Sequence, residues 1–302
     1  MSLWTTPRAL ARRHLVAPVA ALVGSPLPSP LAGRVVVVTG ASSGIGEASA
    51  RAIAARGATV ICVARRSEEL DRVVASVREA GGDAVGHVCD LTDGAAVDAL
   101  VVQLLADHPR VDMLVNNAGR SIRRSLELSY DRMHDFERTM AVNYFGPVRL
   151  TLGLLPRMRA QGFGHVVNVV TWGVQIKAPK FSAYIASKTA LDTFSRIAGR
   201  ETWRDGVTFT NVRLDLVRTP MIEATDAYRR LPAKTPEQAA ELVVRALEDR
   251  PLTISGPAGR IGEVLNLVAP RLMDAALAHM ALRMPDSRAA RAHVEDDDPR
   301  SA

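Results

Sequence analysis

The stretch that most narrows what this chain can fold into runs from Arg34 to Arg56. Val35 to Val38 is an unbroken β-branched run, the pattern of a strand covered by helices on both faces. Thr39-Gly40-Ala41-Ser42-Ser43-Gly44-Ile45-Gly46 follows without a gap, and Glu47 to Arg56 reads as a helix. Glycine at 40, 44 and 46 lets the backbone turn tightly and approach a pyrophosphate at a helix N-terminus, where open N–H groups and the helix dipole favour an anion. Elsewhere such a cluster would say little; between a buried strand and a helix it has the context that a dinucleotide-binding turn requires.

The same alternation continues down the chain. Thr59 to Val63 forms a second strand ending in Ala64-Arg65-Arg66. An acidic side chain at this strand end would suit a ribose 2′-hydroxyl, whereas arginine suits a 2′-phosphate, so the expected cofactor is NADP(H), held by Arg65 first and Arg66 second. The competing reading makes both arginines solvated residues ahead of a helix capped by Ser67. A third strand, Ala84 to Val88, closes with Asp90, placed either to accept from an adenine amino group or to cap a helix starting near Thr92. Asp112 to Val115 is the fourth strand, followed by Asn116-Asn117-Ala118-Gly119, and Gly164 to Val170 and Val207 to Leu214 are the fifth and sixth. The expected fold class is therefore α/β, a doubly wound parallel sheet with its ligand crevice at the carboxyl ends of the strands, where all these motifs fall.

Two features in this frame carry proton chemistry. Tyr184 and Lys188 stand four apart on one predicted helix face, which sets the ammonium a turn from the phenol. A nearby cation favours the phenolate and makes tyrosine a usable acid or base. Asn143 falls inside a helix predicted from about Asp131 to Arg159, an odd place for a residue that prefers to bond backbone.

Composition removes alternatives. The chain has 302 residues, a net charge of +6 and only 4% aromatics, and its arginines are dispersed, so no nucleic-acid surface is expected and phosphate-bearing small molecules are the more economical anionic partners. Cys62 and Cys89 lie in apolar runs and read as buried free thiols; no metal-ligand spacing occurs. Residues 1–32 are a basic and apolar extension, with Arg8, Arg12 and Arg13 ahead of Leu15 to Val23; the readings are an export signal, an amphipathic helix that lies on a membrane surface or packs on the domain, or disorder. The nucleotide-binding domain is expected at 33–255, an apolar helical extension at 256–287 and a disordered tail at 288–302. The extension packs on the domain or on a second copy, lines an apolar tunnel, or touches lipid. The expected location is the cytoplasm, with peripheral membrane association left open.

With these residues in place, the chain resembles the short-chain dehydrogenase/reductase family from about residue 33 to 250, through Thr39 to Gly46, Asp90, Asn116 to Gly119, Asn143 and Tyr184 to Lys188 in that order. The resemblance implies a Rossmann sheet of about seven strands, a homo-oligomer, and a catalytic asparagine, serine, tyrosine and lysine. Asn143, Tyr184 and Lys188 match; the serine position, thirteen residues before Tyr184, holds Thr171, which keeps the hydroxyl. The implied cofactor-binding set is Gly40, Ser42, Ser43, Gly44, Ile45, Gly46, Arg65, Arg66, Asp90, Asn117, Ala118, Gly119, Tyr184, Lys188, Val217 and Thr219. Where the family has Pro-Gly after the sixth strand, this chain has Leu214-Asp215. Thr171 to Gln175, Leu216 to Ile222, Asn117 to Ser125 and Met284 to Ser287 are similar to actinobacterial fatty acyl-CoA reductases. That similarity implies a long-chain acyl-coenzyme A or fatty aldehyde substrate, with Arg120, Arg123 and Arg124 near the coenzyme A phosphates. The alternatives are another apolar ketone or alcohol, steroid-like, or a dinucleotide-binding sensor without catalysis.

Overall fold

A computed structural model describes residues 29–223, 231–286 and 290; the basic and apolar stretch before residue 29 and the tail after 290 lie outside the described residues. The chain alternates β1 (Val35–Thr39), α1 (Gly44–Ala54), β2 (Thr59–Ala64), α2 (Ser67–Glu79), β3 (Asp83–Val88), α3 (Gly94–Asp107) and β4 (Met113–Asn116). Then come α4 (Met133–Met140), a π-helical turn at Ala141–Phe145, α5 (Gly146–Ala160), β5 (Gly164–Thr171), a short α6 (Gly173–Ile176) and α7 (Ser182–Glu201). The last part is β6 (Val207–Leu214), a short α8 (Pro220–Glu223), α9 (Pro236–Asp249), β7 (Thr253–Ser255), α10 (Pro257–Val268) and α11 (Pro270–Arg283).

All strand pairings are parallel, in the order β3-β2-β1-β4-β5-β6-β7. The expected seven-stranded doubly wound sheet is thus what forms. Side chains alternate across it. Val36, Val38, Val60 and Cys62 join Ile53 of α1 and Val243 and Leu247 of α9 on one face; Val37, Ile61 and Leu114 join Leu104 of α3 and Leu150 and Leu154 of α5 on the other. Both faces being covered explains why β1 reads as a continuous apolar run rather than an alternating one. Cys62 and Cys89 are free and buried, and burial pushes the Cys62 thiol up to about 12.

Chain order reverses between β1 and β4, which opens a crevice at their carboxyl ends. Two local expectations change. The α2 helix begins at Ser67 itself, with Arg66 at its N-cap and no side-chain cap. The α3 helix is capped by Asp93, which accepts from the N–H groups of Ala95 and Ala96; Asp90 closes a turn onto Thr92 instead. The carboxyl-terminal extension is two helices divided at Pro270, whose missing N–H cannot continue α10.

Candidate active site

The crevice floor is stitched by one threonine and one asparagine. Thr39, fully buried, donates from Oγ1 to the Val115 carbonyl and accepts the N–H groups of Asn117 and Ala118 at 3.0 and 3.1 Å. The Asn117 amide donates back to the Thr39 carbonyl at 2.9 Å. The turn above admits no side chain. Gly40 has φ of +66°, and a Cβ there would stand 2.8 Å from the Ala118 Cα; at Gly46 a Cβ would fall on the Gly40 carbonyl oxygen. Ser43, at the N-cap of α1, makes no side-chain cap, so the first N–H groups of that helix are not covered by it. Thr219 reaches back over the turn, its methyl 3.1 Å from where a Gly44 Cβ would be. Val217, 6% exposed, is tied beside it by a bridge to Lys234. Such a cradle fits a dinucleotide's phosphates.

Arg65 and Arg66 stand at the carboxyl end of β2 on the crevice wall. The Arg65 guanidinium is 69% exposed and 3.6 Å from Asp90, a loose pairing that leaves it able to turn to an anion; Arg66 pairs with Glu69 at 3.0 Å. Burial alone would raise the Asp90 carboxyl, but two hydrogen bonds from Thr92, with Arg65 beside them, hold it below the usual range.

Asn143 occupies the π turn between α4 and α5 and is fully buried. Its Oδ1 accepts the Arg120 N–H, and its Nδ2 donates to the Arg120 carbonyl and to Ser187 Oγ, each at 2.9 Å. The extra residue of a π turn is what aims a mid-helix asparagine at a neighbouring loop. Ser187, which sequence reasoning passed over, donates on to the Tyr184 carbonyl. Lys188 is 3% exposed and donates from Nζ to the Val169 carbonyl at 3.0 Å; burial lowers its pKa to about 8. A Cβ on Gly119 would lie 3.0 Å from Asn143 Oδ1 and 3.2 Å from Lys188 Nζ, so the two heads converge around that glycine.

Thr171 ends β5, and its Oγ1 accepts the Gly173 N–H at 3.1 Å. A Cβ at Gly173 would come 3.3 Å from the Thr171 methyl and 2.9 Å from Ile185. The missing side chain at 173 leaves room for the methyl that a threonine adds over a serine. Leu214 ends β6 and Asp215 follows it, paired to Lys234 at 2.6 Å.

Thr171, Tyr184 and Lys188 face one cavity of about 1320 Å³. It extends from Gly40, Arg65 and Asp90 past these three to an apolar chamber walled by Ile261, Leu265, Met273, Leu277 and Met280 of α10 and α11. Every expected cofactor-side residue from Gly40 to Ile45, Arg65 to Asp90 and Asn117 to Gly119 lines it; Gly46 and Asn143 act from behind the wall. Arg120 and Arg123 also line it, but the guanidiniums of Arg123 and Arg124 do not stand free to meet coenzyme A phosphates. Arg123 donates to the Pro285 carbonyl at 2.8 Å, and Arg124 donates to the Ala290 carbonyl and pairs with Asp135. Among the described residues no cluster of acidic, cysteine or histidine side chains could hold a metal ion, and no helix is long and apolar enough to cross a membrane.

A parallel doubly wound sheet, a glycine cradle at its switch point and a Tyr-Lys pair facing the same cavity define a nucleotide-binding oxidoreductase of the Rossmann class. Residues 34–229 match the short chain dehydrogenase family, and the chain belongs to the short-chain dehydrogenase/reductases. It is 47% identical over 281 residues to an uncharacterised oxidoreductase of Mycobacterium bovis, covering 92% of this chain and 82% of the relative. A fatty acyl-CoA reductase of Acinetobacter baylyi is 46% identical over 258 residues, 85% of this chain and 88% of the relative. A metagenomic short-chain oxidoreductase solved in complex with NADP superposes with a TM-score of 0.65 at 31% identity, covering 75% of this chain and 97% of that one.

Proposed function

We propose that this oxidoreductase uses NADP(H) to reduce a long-chain fatty acyl-coenzyme A or the matching fatty aldehyde. The observation that carries the reading is the continuity of the cavity: Arg65 at one end, the Thr171–Tyr184–Lys188 group in the middle and an aliphatic chamber at the other. The fatty acyl-CoA reductase relative supports the substrate class, and the NADP complex of a structural neighbour supports the cofactor.

When bound, NADPH supplies a hydride to the carbonyl carbon. Gly40 to Gly46, Asn117, Ala118 and Gly119 would cradle its phosphates and ribose, Arg65 and Arg66 would meet the 2′-phosphate, Asp90 would serve the adenine, and Val217 and Thr219 would hold the far end. Tyr184 delivers the proton to the substrate oxygen. Lys188, with a pKa of about 8, is mostly cationic at neutral pH, and its charge favours the phenolate that Tyr184 leaves behind. Thr171 Oγ1 already accepts the Gly173 N–H, so its own hydrogen is available to the substrate oxygen. Asn143 fixes the loop at Arg120 against α7, and a spare lone pair on its Oδ1 is placed to hold a water beside Lys188.

The test is a substrate panel of thioesters, aldehydes, steroids and sugars with each cofactor. NADPH-dependent kcat/KM should rise with chain length, by up to about 0.8 kcal/mol, or about fourfold, per buried methylene. Tyr184→Phe should keep NADPH affinity and lose at least about 100-fold in turnover. Preference for a short polar ketone or a sugar would overturn the substrate reading.

A further inference from the structure

The acyl side of the cavity is roofed by a helical hairpin, α10 and α11, that is clamped at both ends. No described side chain of α11 is buried, and Leu272 and Leu282 on its outer face are 68% and 86% exposed. Such a helix has little packing of its own to hold it in place.

At its base, α10 is fixed through Glu263, which accepts from the Gln175 amide at 2.8 Å and pairs with Arg213, itself bound to Asp192. Asn266 adds a hydrogen bond to the Gln175 carbonyl. At the far end, Lys180 Nζ donates to the Met284 carbonyl at 2.7 Å and to the Asp286 carboxylate at 3.0 Å. Asp286 also accepts the Ser125 N–H at 2.9 Å, and Arg123 holds the Pro285 carbonyl. The Lys180 and Asp286 side chains are only 15% and 13% exposed. Lys180 has φ of +69°, a left-handed conformation that costs a non-glycine residue energy, and it stands just ahead of the helix bearing Tyr184. Between the clamps, Met273, Leu277 and Met284 run along the cavity wall over about 16 Å at ~1.5 Å per residue.

We propose that Asp286 is a positioning residue for substrate selection: by tying the end of α11 to Lys180 and Ser125, it completes the wall that an acyl chain lies against, so that selectivity for long chains depends on this latch. The proposal rests on the acyl reading above. Arg123, which donates to the Pro285 carbonyl next to Asp286, serves the same latch.

The full chain carrying Asp286→Ala or Asp286→Glu decides it. In Asp286→Ala, kcat/KM for hexadecanal relative to hexanal should fall at least ~10-fold, about the worth of one charge-assisted hydrogen bond. The loss should appear in KM for hexadecanal, with NADPH affinity and kcat for hexanal unchanged, and Asp286→Glu should restore much of it. A fluorescent long-chain fatty acid, titrated without turnover, should bind at least ~10-fold more weakly to Asp286→Ala. An Asp286→Ala protein that binds NADPH and keeps both the hexadecanal preference and the fatty-acid affinity overturns the latch. If the unaltered protein reduces no aldehyde or thioester, the acyl reading fails, and the fatty-acid titration still judges the wall.

Discussion

The two ends of the cavity are built in opposite ways. At the glycine turn the contacts are close and made largely to backbone: Thr39 and Asn117 stitch β1 to β4, and neither Gly40 nor Gly46 has room for a single methyl group. At the roof, the α11 side chains that meet the cavity are mostly flexible methionines and leucines on a helix with nothing buried, and ion pairs hold the ends of the hairpin. The first region can bind only one shape. The second can change its lining without disturbing the sheet, because its stability and its position come from different contacts. A fold that keeps its cofactor and alters its substrate would be expected to divide rigidity in this way.

The largest effect that can break this contrast is Gly46→Ala. The added methyl meets the Gly40 carbonyl oxygen and lies 2.6 Å from the Asn117 amide nitrogen, so backbone must move. The cost should reach the ~3 kcal/mol upper range of overpacking, with NADPH binding lost. Thermal melting and a cofactor titration measure it. A variant that melts and binds like the parent would show that the turn has slack after all.

Next in size is Arg65→Ala, which tests whether the exposed rim of the rigid end has a specific partner. Losing a charged hydrogen bond to a 2′-phosphate costs ~1.5 to 3 kcal/mol, so NADPH should weaken by roughly 10- to 100-fold while NADH is nearly untouched. Equal loss for both cofactors would make Arg65 a brace for Asp90, which stands 3.6 Å away, and nothing more.

The rigid end was also the legible end. Strands buried on both faces write themselves as unbroken β-branched runs, and a turn with no space for a side chain can be made only of glycine, so β1 and its turn are plain in the sequence. Tyr184 and Lys188 are legible because helical spacing alone sets them on one face. What stayed hidden depends on contacts far along the chain. Arg123 and Arg124 read as loop arginines beside a phosphate site; their guanidiniums are taken by carbonyls of Pro285 and Ala290, some 160 residues later. Asp90 reads as a candidate cap for the helix after β3, and only the geometry gives that task to Asp93, three residues on. Thr171 is legible as a hydroxyl in place of serine, but the room for its extra methyl depends on Gly173, which faces it only in the fold.

The smallest effect separates the two faces of the roof. Leu277 lines the cavity and Leu272 points away from it at 68% exposure, although both lie on α11. Neither is buried, so each change to alanine should cost less than about 0.5 kcal/mol of stability. Substrate should tell them apart. Leu277→Ala removes aliphatic surface from the wall and should raise KM for a long-chain aldehyde by about tenfold, the equivalent of 1.4 kcal/mol, with a short aldehyde unaffected. Leu272→Ala should change neither. The reverse result, in which Leu272 matters and Leu277 does not, would mean that apolar ligands meet the outside of the hairpin. Its exposed neighbours Val264, Leu267 and Val268 would then be the surface to pursue, with a second copy or a lipid layer as what covers it.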